Sequence, residues 1–129
     1  MTITNDIERN KTLVAGYYAE VWNTKDLGRL ANFVAEDYVQ HNPHLGNGRA
    51  ALGTFLDNLF SQVPDGRFTV ARLVAEDDLV VAHTLFQAHA ADRGTAVVDI
   101  YRVRDGLLQE HWDVKEALPE TSASGNPVV

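Results

Sequence analysis

The chain has 129 residues, of which 45% are hydrophobic and 22% are charged. This length and balance are typical of one globular domain with a single core, and they exclude an intrinsically disordered chain. The formal net charge of −7 argues against a nucleic-acid partner, because phosphate binding needs clustered lysine and arginine. No cysteine is present, which excludes disulfides, thiolate metal sites and a cysteine nucleophile.

The first residues, 1–6, have neither a basic start nor a continuous apolar stretch, so a secretory signal is not expected. No apolar run approaches the roughly 18 residues that a membrane span needs. We therefore expect a cytoplasmic protein with no membrane partner.

Apolar residues at helical spacing predict three helices in the first half of the chain. The first extends from about Asp6 to Trp22. The second is short and covers residues 27–34, with Thr24 or Asp26 as its N-cap. The third contains an apolar stripe that runs from Leu52 to Phe60.

Strand-like patterns occupy the rest of the chain. A brief strand at Tyr38–His41 ends at Asn42-Pro43, because proline lacks the N–H that a ladder needs. Four longer runs rich in β-branched residues follow, separated by short turns, at residues 68–75, 79–90, 95–103 and 107–114.

This order of elements predicts an α+β fold in which a curved antiparallel sheet forms a cone, wrapped by three N-terminal helices. A blind hydrophobic pocket is expected between the concave face of the sheet and the helices. We predict one domain over residues 1–115 and a flexible C-terminal tail over residues 116–129, where the apolar pattern fades.

The chain also resembles a known family, the SnoaL-like branch of the nuclear transport factor 2 superfamily, over about residues 7 to 115. The resemblance lies in three segments: Tyr38-Val39-Gln40-His41-Asn42-Pro43, Val98-Asp99-Ile100-Tyr101-Arg102-Val103 with Asp105-Gly106, and Glu110-His111-Trp112-Asp113-Val114. It implies the same cone fold and, often, a homodimer formed through the outer face of the sheet. The superfamily includes cyclases, isomerases, a dehydratase, an epoxide hydrolase and a non-enzymatic transport factor, so the resemblance does not name one reaction.

The namesake cyclases close rings by an aldol condensation without a metal or cofactor, using a pocket aspartate as acid and base. Asp113 is the residue that matches this aspartate, and Asp99 on the preceding strand is its competitor. An aspartate in an apolar cavity is suited to proton exchange near neutral pH. The alternative is a structural ion pair with a nearby arginine.

The turn at Asp105-Gly106 decides whether these two carboxylates meet. A three-residue loop with a glycine bulge would set Asp99 beside His111, with Asp113 on the same face. A two-residue loop would set Asp99 opposite Trp112 instead. The sequence leaves both registers open.

Histidines are the next candidates. His41, where the short strand ends, is expected at the rim of the pocket, and His41 or His111 would polarise a substrate carbonyl. His41 with His44, or His111 with Asp113, would each supply two metal ligands, but neither pair has the further partners of a known motif, so no metal and no cofactor are expected. The alternative for each histidine is an ordinary loop or surface residue.

Five side chains are predicted to line the pocket and bind the ligand, with the two tyrosines offering a hydroxyl group: Tyr18, Tyr38, Trp112, His83 and Phe55. The aromatic residues have core packing as their alternative role. The sequence therefore favours an enzyme that acts on a small apolar or aromatic carbonyl compound. The alternatives are a ligand-binding module without turnover and a dimeric accessory protein.

Overall fold

A computed structural model describes the backbone of residues 3–129 and the side chains from residue 6 onward. The helices are α1 (Ile3–Tyr17), which continues as a π-helical turn (Tyr18–Trp22), a 3₁₀ helix (Leu27–Asn32) and α2 (Arg49–Gln62). The strands are β1 (Val34–Gln40), β2 (Arg67–Glu76), β3 (Leu79–Gln87), β4 (Thr95–Arg104) and β5 (Leu107–Ala117).

The first helix presents one face to the core. Val14, Tyr17, Tyr18 and Val21 follow the i, i+3, i+4, i+7 spacing of a single helical face, and all four are buried. The next helix begins at Asp26, whose side chain accepts a hydrogen bond from the N–H of Gly28, so Asp26 is its N-cap rather than Thr24.

The five strands form one sheet in the order β1-β5-β4-β3-β2. The four long strands are antiparallel, as predicted, but β1 pairs with β5 in parallel, so the sheet is mixed. The helices lie against its concave face, which confirms the predicted α+β cone. Strand β5 extends to Ala117, two residues into the segment predicted as a tail. The mobility of that tail stays a prediction.

The hairpin between β4 and β5 has a register that neither sequence alternative anticipated. Asp105 and Gly106 both have positive φ, and Arg104 pairs with Leu107 across this two-residue turn. A bulge then shifts the pairing, so that Asp99 lies directly opposite Asp113. The two carboxylates therefore share the concave face after all.

The core fills the space between the helices and the concave face. Val14, Leu56 and Val80 are among its fully buried members, drawn from α1, α2 and β3. Among the described residues, no helix is long and apolar enough to cross a membrane.

Candidate active site

A cavity of about 200 Å³ opens between α2 and the concave face of the sheet. One wall is aromatic and aliphatic, with Trp22, Phe55 and Phe68 among its members. The other wall is formed mainly by β1, β4 and β5 and carries polar groups, which include Asp99, His111 and Asp113. An apolar chamber with a few convergent polar groups is the usual form of a small-molecule site.

Asp113 is held from one side by a single amide. The Nδ2 of Asn42 lies 3.0 and 2.9 Å from the two carboxylate oxygens of Asp113. The Oδ1 of Asn42 accepts from the backbone N–H of His44 at 2.9 Å, which fixes the direction of the amide. Asp113 is half-buried and lines the cavity, so its carboxylate remains accessible to a ligand.

The tautomer of His111 follows from its neighbours. The Oε1 of Gln40 accepts from the backbone N–H of Asn42 at 3.0 Å, so this atom is an oxygen that can only accept. His111 Nδ1 lies 2.7 Å from the same oxygen and must therefore carry a proton. That leaves Nε2 of His111 facing Asp99 Oδ1 at 2.8 Å, with one proton between the two atoms.

Asp99 is the buried member of the carboxylate pair, only 4% exposed. Its second oxygen accepts from the Tyr18 hydroxyl at 2.5 Å. Because Tyr18 uses its single proton there, the Tyr101 hydroxyl, 3.0 Å away, donates to Tyr18. His111 and Tyr18 thus occupy both oxygens of Asp99, which leaves Asp113 as the carboxylate open to the cavity.

All four tyrosines of the chain gather around Asp99. Burial raises the pKa of Tyr17, and it raises the pKa of Tyr18, Tyr38 and Tyr101 well above the usual value for a phenol; the nearby charge of Asp99 adds to each shift. At neutral pH all four therefore stay protonated and can donate hydrogen bonds.

Tyr38 differs from Tyr18 in having its hydroxyl uncommitted. Tyr38 is 2% exposed and lines the cavity. Its ring is nearly parallel to the ring of His111, with the two ring centroids 6.3 Å apart. Its hydroxyl has no hydrogen-bond partner in the part of the chain that the structure describes. It is a buried donor available to an oxygen atom of a ligand.

Three of the predicted site residues lie outside the cavity. His41 is on the outer face of the sheet, where it contacts Glu110 and stacks on Trp112 at 4.7 Å. His83 is also on the outer face and contacts Arg72. The predictions that His41, Trp112 and His83 serve the pocket are therefore wrong, because side chains alternate along a strand and these residues have the outward parity.

The remaining candidates converge. Asp99, His111, Asp113, Tyr38 and Phe55 line the cavity, and Tyr18 lies directly behind Asp99. Sequence reasoning missed Gln40 and Asn42, which orient His111 and Asp113. Alternation could have found them, since residues 38, 40 and 42 share a face.

The same cluster has the composition of a cation site. Asp99, His111 and Asp113 offer one ligand atom each, and these atoms lie within 4.8 Å of one another. A cation there would have to replace the proton that His111 and Asp99 share. The expectation of no metal stays a prediction.

Residues 14–111 match the family model of the SnoaL-like domain. The chain belongs to the SnoaL-like family. No curated protein matches it significantly.

Solved structures agree with this assignment. A loop-truncation variant of IdmH is 26% identical, with a TM-score of 0.71 over 83% of this chain and 92% of that one; wild-type IdmH is a candidate polyketide cyclase from Streptomyces antibioticus. A candidate polyketide cyclase from Acidithiobacillus ferrooxidans is 18% identical, with a TM-score of 0.75 over 90% and 92%. A candidate ketosteroid isomerase from Kribbella flavida is 24% identical, with a TM-score of 0.73 over 91% and 84%. The likeness to the last two concerns the fold.

Proposed function

We propose that this SnoaL-like protein is a cyclase- or isomerase-type enzyme in which Asp113 moves a proton next to the carbonyl group of an apolar ligand. The candidate cyclases and isomerase that share its fold support the reaction class. The observation that carries the proposal is the accessible Asp113 carboxylate in the wall of a largely apolar cavity. The charge of its neighbour Asp99 is compensated by contacts with His111 and Tyr18, so Asp99 orients these side chains and does not take the proton from the ligand.

In the first step the Asp113 carboxylate takes a proton from the carbon next to the carbonyl. The C–H electron pair moves into the carbonyl group, which becomes an enolate, and Asp113 becomes a neutral acid. The Tyr38 hydroxyl donates a hydrogen bond to the enolate oxygen, where charge develops. Both groups line a largely apolar cavity, in which such interactions are stronger than in water.

The enolate then has three routes that use the same residues. If the ligand has a C=C bond β,γ to the carbonyl, return of the proton from Asp113 to the γ-carbon moves the double bond and gives an isomerisation. Attack of the enolate carbon on a second carbonyl of the same ligand closes a ring, and the new alkoxide takes the proton. Loss of a β-hydroxyl group, which leaves as water with the proton from Asp113, gives a dehydration.

The first step can be tested without knowledge of the natural substrate. Propiophenone, an apolar aryl ketone, is incubated with the protein in D₂O, and exchange of its α-protons is followed by ¹H NMR. We expect Asp113→Asn to slow the catalysed exchange about 100-fold or more, as removal of a general base does. Tyr38→Phe is expected to slow it by roughly 100-fold, as loss of an oxyanion donor does.

Asp37→Asn is the matched control, because Asp37 is exposed and contacts Gln109 away from the cavity. This variant should exchange propiophenone at the wild-type rate. Equal rates in wild-type protein and Asp113→Asn would contradict the proposal. Binding of propiophenone with no catalysed exchange would favour a ligand-binding module instead.

We also propose a homodimer that forms through the outer face of the sheet. Val74 on β2 and Val114 on β5 both lie on that face and are 60% and 66% exposed, which is a high exposure for large apolar side chains. Light scattering coupled to gel filtration tests this. A mass near 14.3 kDa, that of one chain, would contradict it.

A further inference from the structure

The mouth of the cavity carries a positive charge that the proposed proton transfer does not use. Lys115 lines the cavity at its exposed end, on the same inward row of β5 as His111 and Asp113. Its partner across the hairpin is the apolar Val97. Lys115 is exposed, and the strand that faces it places no opposite charge directly across from it.

The three lysines of the chain differ in their surroundings. Lys11 contacts Glu8 at 3.6 Å, and Lys25 donates to the carbonyl of Gly66 at 2.5 Å. Lys115 takes part in no ion pair with any residue in the range 6–129. It is thus a cation on a cavity wall with its charge free for a ligand.

A second donor lies beside it. Thr95 also lines the cavity, and it is the diagonal neighbour of Lys115, because Val97, two residues along β4, is the residue that pairs with Lys115. A hydroxyl and an ammonium group on adjacent strands can bind the two oxygens of one carboxylate.

The negative charge of the chain and of the cavity indicates what a cation beside the cavity would do for a ligand. The chain has a net charge of −7, and the accessible carboxylate of Asp113 lines the cavity. An anionic ligand would be repelled unless a cation met its charge. Lys115 supplies that cation where water still solvates it, so the anionic end of the ligand need not lose its hydration while its apolar end is buried.

We propose that the ligand of this site is an apolar carbonyl compound with a carboxylate at one end, and that Lys115 and Thr95 bind this carboxylate at the cavity mouth. Two residues along a strand separate Lys115 from Asp113, which corresponds to about 7 Å. The carboxylate therefore lies about that far from the carbon that Asp113 deprotonates. This inference rests on the proposed function and adds the substrate class to it.

The test compares two probes that differ only in charge. 7-Oxo-7-phenylheptanoate has a phenyl ketone and a carboxylate separated from the α-carbon by about the spacing of Lys115 and Asp113 (about 7 Å), and 7-oxo-7-phenylheptanamide is its neutral counterpart. Dissociation constants are measured by isothermal titration calorimetry at 20 mM and 500 mM salt. We expect the wild-type protein to bind the acid about fivefold more tightly than the amide at low salt, with the preference shrinking at high salt.

Lys115→Met should abolish the preference for the acid over the amide, and Lys115→Glu should reverse it. Lys11→Met, which removes a lysine far from the cavity, should keep the preference. Equal affinities in the wild-type protein, no binding of either probe, or a preference that survives in Lys115→Met would each overturn the inference.

The outcome is separable from that of the proposed function. If the protein prefers the acid but does not catalyse exchange of α-protons, the proposal that Lys115 binds a carboxylate stands and the proposed enzymatic function is rejected. If exchange depends on Asp113 but is equally fast for acid and amide at low probe concentration, the proposed enzymatic function stands and the carboxylate-binding role of Lys115 is rejected.

Discussion

The two faces of the sheet hold two histidine–carboxylate contacts of nearly equal length. His111 Nε2 lies 2.8 Å from Asp99 on the concave face, and His41 Nε2 lies 2.7 Å from Glu110 on the outer face. Their side chains are 9% and 6% exposed in the first pair but 40% and 23% exposed in the second. Because the two contacts have nearly the same length, any difference in their contribution to stability comes from their surroundings.

Those surroundings give the two pairs different roles. The inner pair is surrounded by tyrosines and is largely shielded from solvent. In the outer pair, the hydrogen bond from His41, helped by Arg102, lowers the pKa of Glu110, and water and salt weaken the interaction. A histidine beside a carboxylate is therefore no sign of a site until its burial is known.

Alkaline pH should produce the largest difference between the two sides of the sheet, since all four tyrosines are buried in the core on its concave side, two on strands and two on the first helix. Burial raises the pKa of these phenols, so above pH 10 the unfolded chain releases protons that the folded chain keeps. Stability should therefore fall as the pH rises, by roughly 1.4 kcal/mol per pH unit for each tyrosine, or about 5.5 kcal/mol per pH unit for all four.

Urea unfolding between pH 9 and 11 measures this slope. Tyr38→Phe should reduce it by about a quarter, because the Tyr38 hydroxyl has no partner among the described residues whose loss would complicate the comparison. A slope that is the same in both proteins would contradict the account of the buried tyrosines.

Breaking the inner pair comes next. Asp99→Leu removes a partner from both His111 and Tyr18, and loss of one member of a buried pair typically costs about 3–5 kcal/mol. Glu110→Leu is the matched change on the outer face and should cost far less. Urea unfolding of both variants at pH 7 compares them, and similar losses would show that burial does not distinguish the pairs.

Removal of the amide behind His111 should have a smaller effect. Gln40→Leu leaves the His111 Nδ1–H and the backbone N–H of Asn42 without an acceptor, at a cost of roughly 1–3 kcal/mol in stability. Gln109→Leu, which breaks an exposed contact to Asp37, is the control. In the wild-type protein, ¹⁵N NMR should show a protonated Nδ1 on His111; a bare Nδ1 would contradict the assigned tautomer.

The smallest effect is expected for the outer pair itself. His41→Gln should change stability at pH 7 by less than about 1 kcal/mol, as exposed ion pairs do. The lowered pKa of Glu110 means that its contribution is present above the unfolded pKa of a glutamate and is lost as the pH falls through the folded value. The difference in the free energy of unfolding between His41→Gln and wild-type protein should therefore vanish at acidic pH. A difference that remains at acidic pH would contradict the role assigned to this ion pair.

Periodicity and turn chemistry predicted the cone because they are local properties. The Asp105-Gly106 turn forms with both residues at positive φ, as an Asp-Gly pair indicates. The bulge that follows this turn contains no glycine that would predict it from the sequence. This bulge is what brings Asp99 opposite Asp113. The partners of His111 were equally hidden, because Gln40 reaches it from a parallel strand 71 residues away.

His41 shows the opposite lesson. Its position at the end of a strand predicts a place at the pocket rim, yet Tyr38 and Gln40 face the cavity, and His41 follows them by an odd number of positions in the chain. Strict alternation would have turned His41 outward. The parity of a strand is a stronger guide to a site than the nearness of a loop.

The central claim is that proton chemistry belongs to the concave face of β5, and the exchange of propiophenone α-protons in D₂O tests it most directly. Asp113→Asn on the concave face and Glu110→Gln on the outer face replace a carboxylate by an amide on the same strand. The account predicts about a 100-fold loss or more for Asp113→Asn and a wild-type rate for Glu110→Gln. Equal rates in the two variants would contradict it.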